Sequence, residues 1–195
     1  MGHHYEHPLL WLDCEMTGLD PLKDRILEVA CILTDGDLGH MQKGPSLVLH
    51  CPKKELEEMG SWCREHHGKS GLTQACLRSC MTASDAEQRI IAFLKLNGVG
   101  AKEAVLAGNS VHMDKEFLRR EMPELIEFLH YRILDISSIK VVAKSWFPRV
   151  APPKKRYMHR ALADIQESIE ELAYYRKQIF RDLEDSLTSR DNAPS

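Results

Sequence analysis

At 195 residues, 43% hydrophobic and with a formal net charge of −3, the chain suits one domain with a core of its own. No run approaches the roughly 18 apolar residues of a membrane span. The acidic balance speaks against a broad basic face of the kind that grips long nucleic acid, so either nucleic acid is not the partner, or it is very short, or metal ions supply the missing positive charge.

The chain begins "MGHHYEHP", with no basic region followed by an apolar one, so it does not read as a secretory signal. Residues 1–8 are expected to be a disordered or tag-like end; a weak metal cluster of His3, His4 and His7 is the other reading. "LLWLD", "ILEVACILTD" and "SLVLHC" are strand-like runs separated by Gly, Pro and Asp turns, which fit a three-stranded meander. A polar helical stretch follows at 53–66. The next helix, over 84–97, has Ser84 and Glu87 as a capping box and Ile90, Ile91 and Leu94 as its apolar stripe. "AVLAG" is a short buried strand and "DKEFLRREM" a helix stopped by Pro123. "ELIEFLH" is another helix, "YRILD" a fifth, buried strand, and "SSIKVVAKSWF" a helix begun by Ser137 or Ser138. The dense basic run, "KKR", falls at 154–156 and reads as a solvated loop. The last helix spans about 160–180, with Leu162, Ile165, Ile169 and Leu172 on one face. Residues 9–181 form one domain and 182–195 a polar tail. The order predicts an α/β fold whose mixed sheet has an antiparallel meander followed by parallel βα units, with helices on both faces. Six scattered cysteines without a C-x-x-C pair exclude a zinc ribbon and a disulfide framework and point to a reducing, intracellular compartment.

The chemistry starts at "PLLWLDCEMTGLD". Alternation along a strand sends Asp13 and Glu15 to the same side, with Cα atoms about 7 Å apart. A lone D-x-E also fits a solvated strand end. Here, however, Asp114 follows another buried strand, Asp135 ends "YRILD", and "HRALADI" puts His159 at a loop-to-helix junction with Asp164 one turn in. Functional groups of open α/β sheets gather at such strand ends. Three or four carboxylates meeting there repel one another, and divalent metal is the simplest compensation. All-oxygen ligands favour magnesium or manganese, and two such ions about 4 Å apart form the clamp of in-line phosphoryl transfer.

"DCEMTGLD", "GNSVHMD" and "HRALADI" resemble, in order, the three motifs of the DEDDh 3′→5′ exonucleases, which have an RNase H-like fold. "WCREHHGKSGLT", "HYRILDISSIK" and "HRALADIQESIEEL" narrow the resemblance to the oligoribonucleases, and within them to the eukaryotic small fragment nucleases. The resemblance implies a metal-dependent exoribonuclease releasing nucleoside 5′-monophosphates from RNA of two to about five nucleotides, for which a small electrostatic footprint suffices. It implies that Asp13, Glu15 and Asp164 hold one Mg²⁺ or Mn²⁺, that Asp13 reaches a second with Asp114 close by, and that His159 is the general base, its ordinary pKa suiting neutral pH. It further implies that Leu19 and Trp62 wedge and stack on two bases and that Ser110, Arg132 and Ser137 cap a 5′ phosphate. His67 and Tyr131 would lie near the substrate, Tyr131 being supplied by the partner subunit of a homodimer, in the cytoplasm, the mitochondrion or both. Trp62 also fits plain core packing, and Ser137 plain helix capping. Two other functions stay open: a DEDDh exonuclease trimming longer RNA or DNA, and a catalytically idle nucleotide-binding module on the same fold.

Overall fold

The computed structural model of the chain describes residues 3–151, 153 and 161–180. Among these, three strands come first, β1 (Leu9–Met16), β2 (Ile26–Thr34) and β3 (Met41–Val48), followed by the short helices α1 (Lys53–Glu58), α2 (Ser61–Lys69) and α3 (Leu72–Arg78). Then come α4 (Ala83–Leu96), β4 (Val105–Gly108), α5 (Val111–Glu121), α6 (Pro123–Phe128), β5 (Ile133–Asp135), α7 (Ile136–Trp146) and α8 (Ala161–Ile179). The sheet order is β3-β2-β1-β4-β5. The meander pairs antiparallel, and β4 and β5 add parallel to it, as the order of elements predicts.

β1 is the axis of the molecule, and its alternation builds two cores. Leu10, Leu12 and Cys14 join Val29, Cys31 and Leu33 of β2 under the helices α4, α5 and α6. Leu9 and Trp11 join Ala30 and Ile32 under α7 and α8, against Ile136, Ala143, Ile165 and Ile169. All nine residues of β2 are buried, which is why its sequence is an almost unbroken apolar run. A third, smaller core seats Leu27 among Cys51, Leu56, Met59, Leu72 and Cys76 of the α1–α3 layer.

Several local expectations shift. The polar stretch at 53–66 breaks at Gly60 into α1 and the start of α2, and Gly71 opens a third helix beyond it. α4 is capped by Thr82 and Asp85, whose side chains and backbone N–H groups bond reciprocally, so it starts earlier than a Ser84 cap allows. Glu87, expected as the other half of that box, is buried and accepts the Leu125 N–H at 2.8 Å, tying α4 to α6. α7 is capped by Asp135, not by a serine, and β5 is a half-exposed edge strand rather than a buried one. Residues 3–8, expected to be disordered or tag-like, lie against the β2–β3 turn: Tyr5 is buried, and the Gly36 N–H donates to the Glu6 carbonyl oxygen at 2.9 Å. All six cysteines are free thiols.

Trp11 shows what the central strand contributes to stability. It is fully buried, and its indole N–H donates to Thr34 Oγ1 at 2.9 Å. Trp11→Ala should destabilise the fold by about 3–5 kcal/mol. Trp11→Phe, which keeps a ring but loses the bond, should lose about 1–3 kcal/mol. Chemical denaturation followed by circular dichroism measures both.

Candidate active site

β1, β4 and β5 run parallel, so their carboxyl ends share one edge of the sheet. β4 pairs with β1 only as far as Trp11↔Ala107, and β1 projects beyond it. The chain then leaves β4 at Gly108, where a Cβ would stand 2.8 Å from the Leu12 carbonyl oxygen; only glycine lets the two backbones approach so closely. Asp13 and Glu15 occupy the projecting end of β1 with the parity of Leu9 and Trp11, the residues that pack against α8. Asp164 stands in the first turn of α8. Side-chain oxygens of Asp13, Glu15 and Asp164 lie within 4.8 Å of one another, each residue half-buried. Three carboxylates gathered this closely, with oxygen donors alone, fit a hard divalent cation such as Mg²⁺ or Mn²⁺.

Asp114 stands outside that trio, one step back in α5. Where β4 has ended, Asp114 Oδ1 accepts the Cys14 N–H at 2.9 Å. It is almost fully buried, and that burial pushes its carboxyl up to about 7 against the hydrogen bonds from Cys14 that pull it down. The Cys14 thiol is held neutral by its own burial, then by Asp114 and Asp13. His159 and the basic run at 154–156 lie outside the described residues.

Glu15 lines a cavity of about 450 Å³ with Met16, Leu19, Trp62 and His67, a size usual for small-ligand sites. Leu19 is 76% and Trp62 56% exposed, so Trp62 is not a core residue; its ring stacks on His66 at 3.9 Å. His67 is buried. Its Nε2 lies 2.9 Å from the Met16 carbonyl oxygen and its Nδ1 4.0 Å from Glu15 Oε2, so it braces the end of β1 where the register slips between Glu15 and Met16. Leu19 rides on a loop built around Asp24. The Asp24 carboxylate accepts from the Thr17 hydroxyl at 2.8 Å and from the Asp20 N–H at 2.9 Å, while the Arg120 guanidinium donates to the carbonyls of Pro21 and Asp24.

On the other side of the sheet edge, Asp135 gathers Ser110 and Ser137. Its Oδ1 accepts the N–H groups of Ser110 (2.9 Å) and Ser137 (3.0 Å) and the Ser137 hydroxyl (2.6 Å). Its Oδ2 lies 2.8 Å from His112 Nδ1. Burial raises the Asp135 carboxyl, but bonds from Ser137, His112 and Ser110 outweigh it and leave it below the ordinary value. Ser110 takes a left-handed backbone, φ 58°, which for a serine stores strain that the bond to Asp135 helps to offset. Arg132 and Tyr131 lie on the exposed turn before β5. Tyr131 is 73% exposed and stacks on His130, and the Arg132 guanidinium carbon stands 5.4 Å from its ring centroid.

Sequence reasoning noticed Asp135 as a strand-end carboxylate but missed its role in holding the two serines, although Asp two residues before Ser at a strand-to-helix junction is the signal. It also missed Asp24. No short pattern marks it; its place shows only in the structure, at Gly18, where a Cβ would lie 2.3 Å from Asp24 Oδ2. Gly18→Ala should therefore push Asp24 off Thr17 and Asp20, removing bonds to a charged acceptor worth about 1.5–3 kcal/mol each. Amide exchange at Asp20 and Leu22 should accelerate while exchange in β1 and β2 stays slow, as read by hydrogen–deuterium exchange.

Comparison with known proteins gives the family. The family model described as Exonuclease (RNase_T) matches residues 10–172. The chain is 46% identical over 182 residues to the mitochondrial oligoribonuclease of Bos taurus, covering 92% of this chain and 76% of that protein. It is 49% identical over 179 residues to the oligoribonuclease of Arabidopsis thaliana (91% and 80% covered) and 48% identical over 174 residues to that of Thiobacillus denitrificans (89% and 95%). Among solved structures, it resembles the zinc-bound E. coli exonuclease I–ssDNA complex, with TM-score 0.69 at 16% identity over 94% of this chain and 43% of that one. The exonuclease I of Methylocaldum szegediense gives TM-score 0.65 at 19% identity, over 88% and 41%. The chain thus spans about two fifths of those larger enzymes, and this likeness identifies the RNase H-like exonuclease fold. From its sheet order, its matched family model and its relatives, the chain belongs to the exonuclease family and, within it, to the oligoribonucleases.

Proposed function

We propose that this enzyme removes nucleoside 5′-monophosphates from the 3′ end of RNA of two to about five nucleotides, whose few phosphates ask for little basic surface. The observation that carries the proposal is the Asp13–Glu15–Asp164 trio, whose Glu15 also lines the cavity that Leu19 and Trp62 line. Asp13, Glu15 and Asp164 would hold one Mg²⁺ or Mn²⁺, and Asp13 would share a second with Asp114 standing behind. Such a pair of ions stabilises the attacking and leaving oxygens of an in-line displacement. His159 takes the proton from the attacking water, and it works as a base while its ring is neutral. Leu19 and Trp62 receive the two terminal bases; stacking on an aromatic ring is worth about 1–3 kcal/mol and tolerates any base. Arg132, Ser110 and Ser137 face the 5′ end. The Ser137 hydroxyl is committed to Asp135, so the forked guanidinium of Arg132 carries most of the phosphate recognition. Tyr131, exposed on one subunit, completes the site of a second in a homodimer. The setting is intracellular, cytoplasmic or mitochondrial, and the relatives named as mitochondrial support the latter.

Single-turnover cleavage of 5′-labelled RNA from two to twenty nucleotides tests this reading. A 5′-phosphorylated dinucleotide should be cleaved at least about tenfold faster than a trinucleotide, since a third nucleotide displaces a phosphate held by charged hydrogen bonds. Arg132→Ala should shrink that gap. Equal rates along the series would give the case to an exonuclease for longer chains.

Asp13→Ala or Asp164→Ala should abolish cleavage while weakening dinucleotide binding less, and a chelator should do the same to the wild type, reversibly on adding Mn²⁺. A variant retaining more than about a tenth of the rate at saturating metal would overturn the assignment.

His159→Ala should slow cleavage by about 10²–10⁴, with partial recovery at high pH. The wild-type rate should fall below about pH 6.5 as the imidazole protonates. A level wild-type rate from about pH 5.5 to about pH 8, with metal still bound, would remove His159 from the mechanism.

A further inference from the structure

Glu171 is a charged side chain that none of these roles uses. It lies on α8 and is 2% exposed. Its Oε2 accepts from the Asn109 side-chain amide at 3.0 Å. Its Oε1 lies 2.9 Å from the Lys140 ammonium and accepts from the Tyr175 hydroxyl at 3.3 Å. The carboxylate therefore ties together three separate pieces of chain: α8, α7 through Lys140, and the β4–α5 connection through Asn109.

Each of those pieces carries a residue of the proposed site. Asp164 lies seven residues before Glu171, two helical turns away on the same side of α8. Asn109 directly precedes Ser110, and Lys140 lies one turn after Ser137. α8 itself has two stripes. Ala161, Ile165 and Ile169 form the apolar one, packed on β1 and β2. Asp164, Ser168, Glu171 and Tyr175 form the other, at spacings of four, three and four, and the last three are buried. Apolar packing is non-directional and by itself leaves the axial position of a helix loosely fixed. A buried carboxylate with partners on two other elements fixes it, because a shift would leave a charge desolvated and unpaired.

We infer that Glu171 is a positioning residue that sets α8, α7 and the Asn109–Ser110 turn against one another, so that the metal-holding trio and the 5′-phosphate cap depend on the same carboxylate. This rests on the reading of the site given above. It predicts that the two ends of the substrate site fail together when Glu171 is lost, although each end's own residues affect only that end.

The test uses the full chain. Mn²⁺ affinity is measured by calorimetry, and the preference for a 5′-phosphorylated over a 5′-hydroxyl dinucleotide is measured by binding, in wild type, Glu171→Leu, Glu171→Gln, Asp164→Asn and Arg132→Ala. In folded Glu171→Leu, Mn²⁺ binding should weaken about tenfold, as for loss of a group that supports ligands, and the phosphate preference should shrink about fivefold, the low end of coupling between sites. Glu171→Gln, which still accepts from Asn109 and Tyr175, should recover part of both. Asp164→Asn should weaken the metal alone, and Arg132→Ala should affect the phosphate preference alone. A folded Glu171→Leu with both quantities unchanged, or with only its melting temperature lowered, overturns the inference. If Glu171→Leu does not fold, Glu171→Gln decides: an intermediate loss of both quantities supports the inference, and wild-type values of both overturn it. If Asp164→Asn leaves Mn²⁺ binding intact, it is the reading of the metal site that fails, whatever Glu171 does.

Discussion

Three carboxylates within 4.8 Å of one another repel. At such a separation each pair of charges opposes the fold by roughly 3–4 kcal/mol for an effective dielectric near 20. The cation that relieves this contributes only once the oxygens are already together, so packing must hold them against their own repulsion. Much of the architecture serves that need. Asp13 and Glu15 sit on the central strand, held on one side by β2 and on the other, past the end of β4, by the Asp114 carboxylate on the Cys14 N–H. Asp164 arrives on a nineteen-residue helix packed on Leu9, Trp11, Ala30 and Ile32 of β1 and β2. The repulsion is concentrated where the scaffold is stiffest. Leu19, Trp62 and Tyr131, proposed to meet substrate, lie on exposed loops and a helix end.

The polar groups around the trio follow a second pattern, in which one carboxylate organises each neighbourhood. Asp24 organises the Leu19 loop, Asp135 the two serines, and Glu171 the seam between α7 and α8. Each is met by several donors, so each holds its segment by direction as well as by burial. The overall charge of −3 is thus partly structural: these acids are engaged inside the protein and do not present a uniformly acidic face to an anionic substrate.

The strands and the antiparallel-then-parallel pattern were legible because period-two alternation and turn residues are properties of short sequence windows; which of the strand-end carboxylates gather came only from the resemblance of the motifs around Asp13, Glu15 and Asp164. The departures have one common cause. Thr82 won the α4 cap over Ser84 because Glu87 was drawn into the α4–α6 contact, something only the tertiary structure determines. Asp135 took the α7 cap because the neighbouring strand brings Ser110 within reach of the same carboxylate. Tyr5, which reads as part of a polar end, is buried because the turn between β2 and β3 leaves room for it. Trp62 could not be sorted between core and surface because an aromatic on a nine-residue polar helix has no stripe to join. Local pattern fixed what each segment is; long-range contacts decided which of several competent groups was used.

The alternation of β1 also bears on how such a gene can change. Leu9 and Trp11 belong to one core, Leu10, Leu12 and Cys14 to the other, and Asp13 and Glu15 follow the first. Deleting or inserting a single codon within 9–12 would exchange the faces of every later residue in the strand. Cys14 would then point toward Asp164, and two acids would be driven into the apolar layer beneath α4–α6. Substitution can be absorbed at these positions, since either core accepts an apolar residue of similar volume. A change of length cannot. The length of this short stretch is therefore under tighter constraint than its letters, and drift in the lineage should appear as exchanged aliphatics in β1, with insertions and deletions displaced out of the strand.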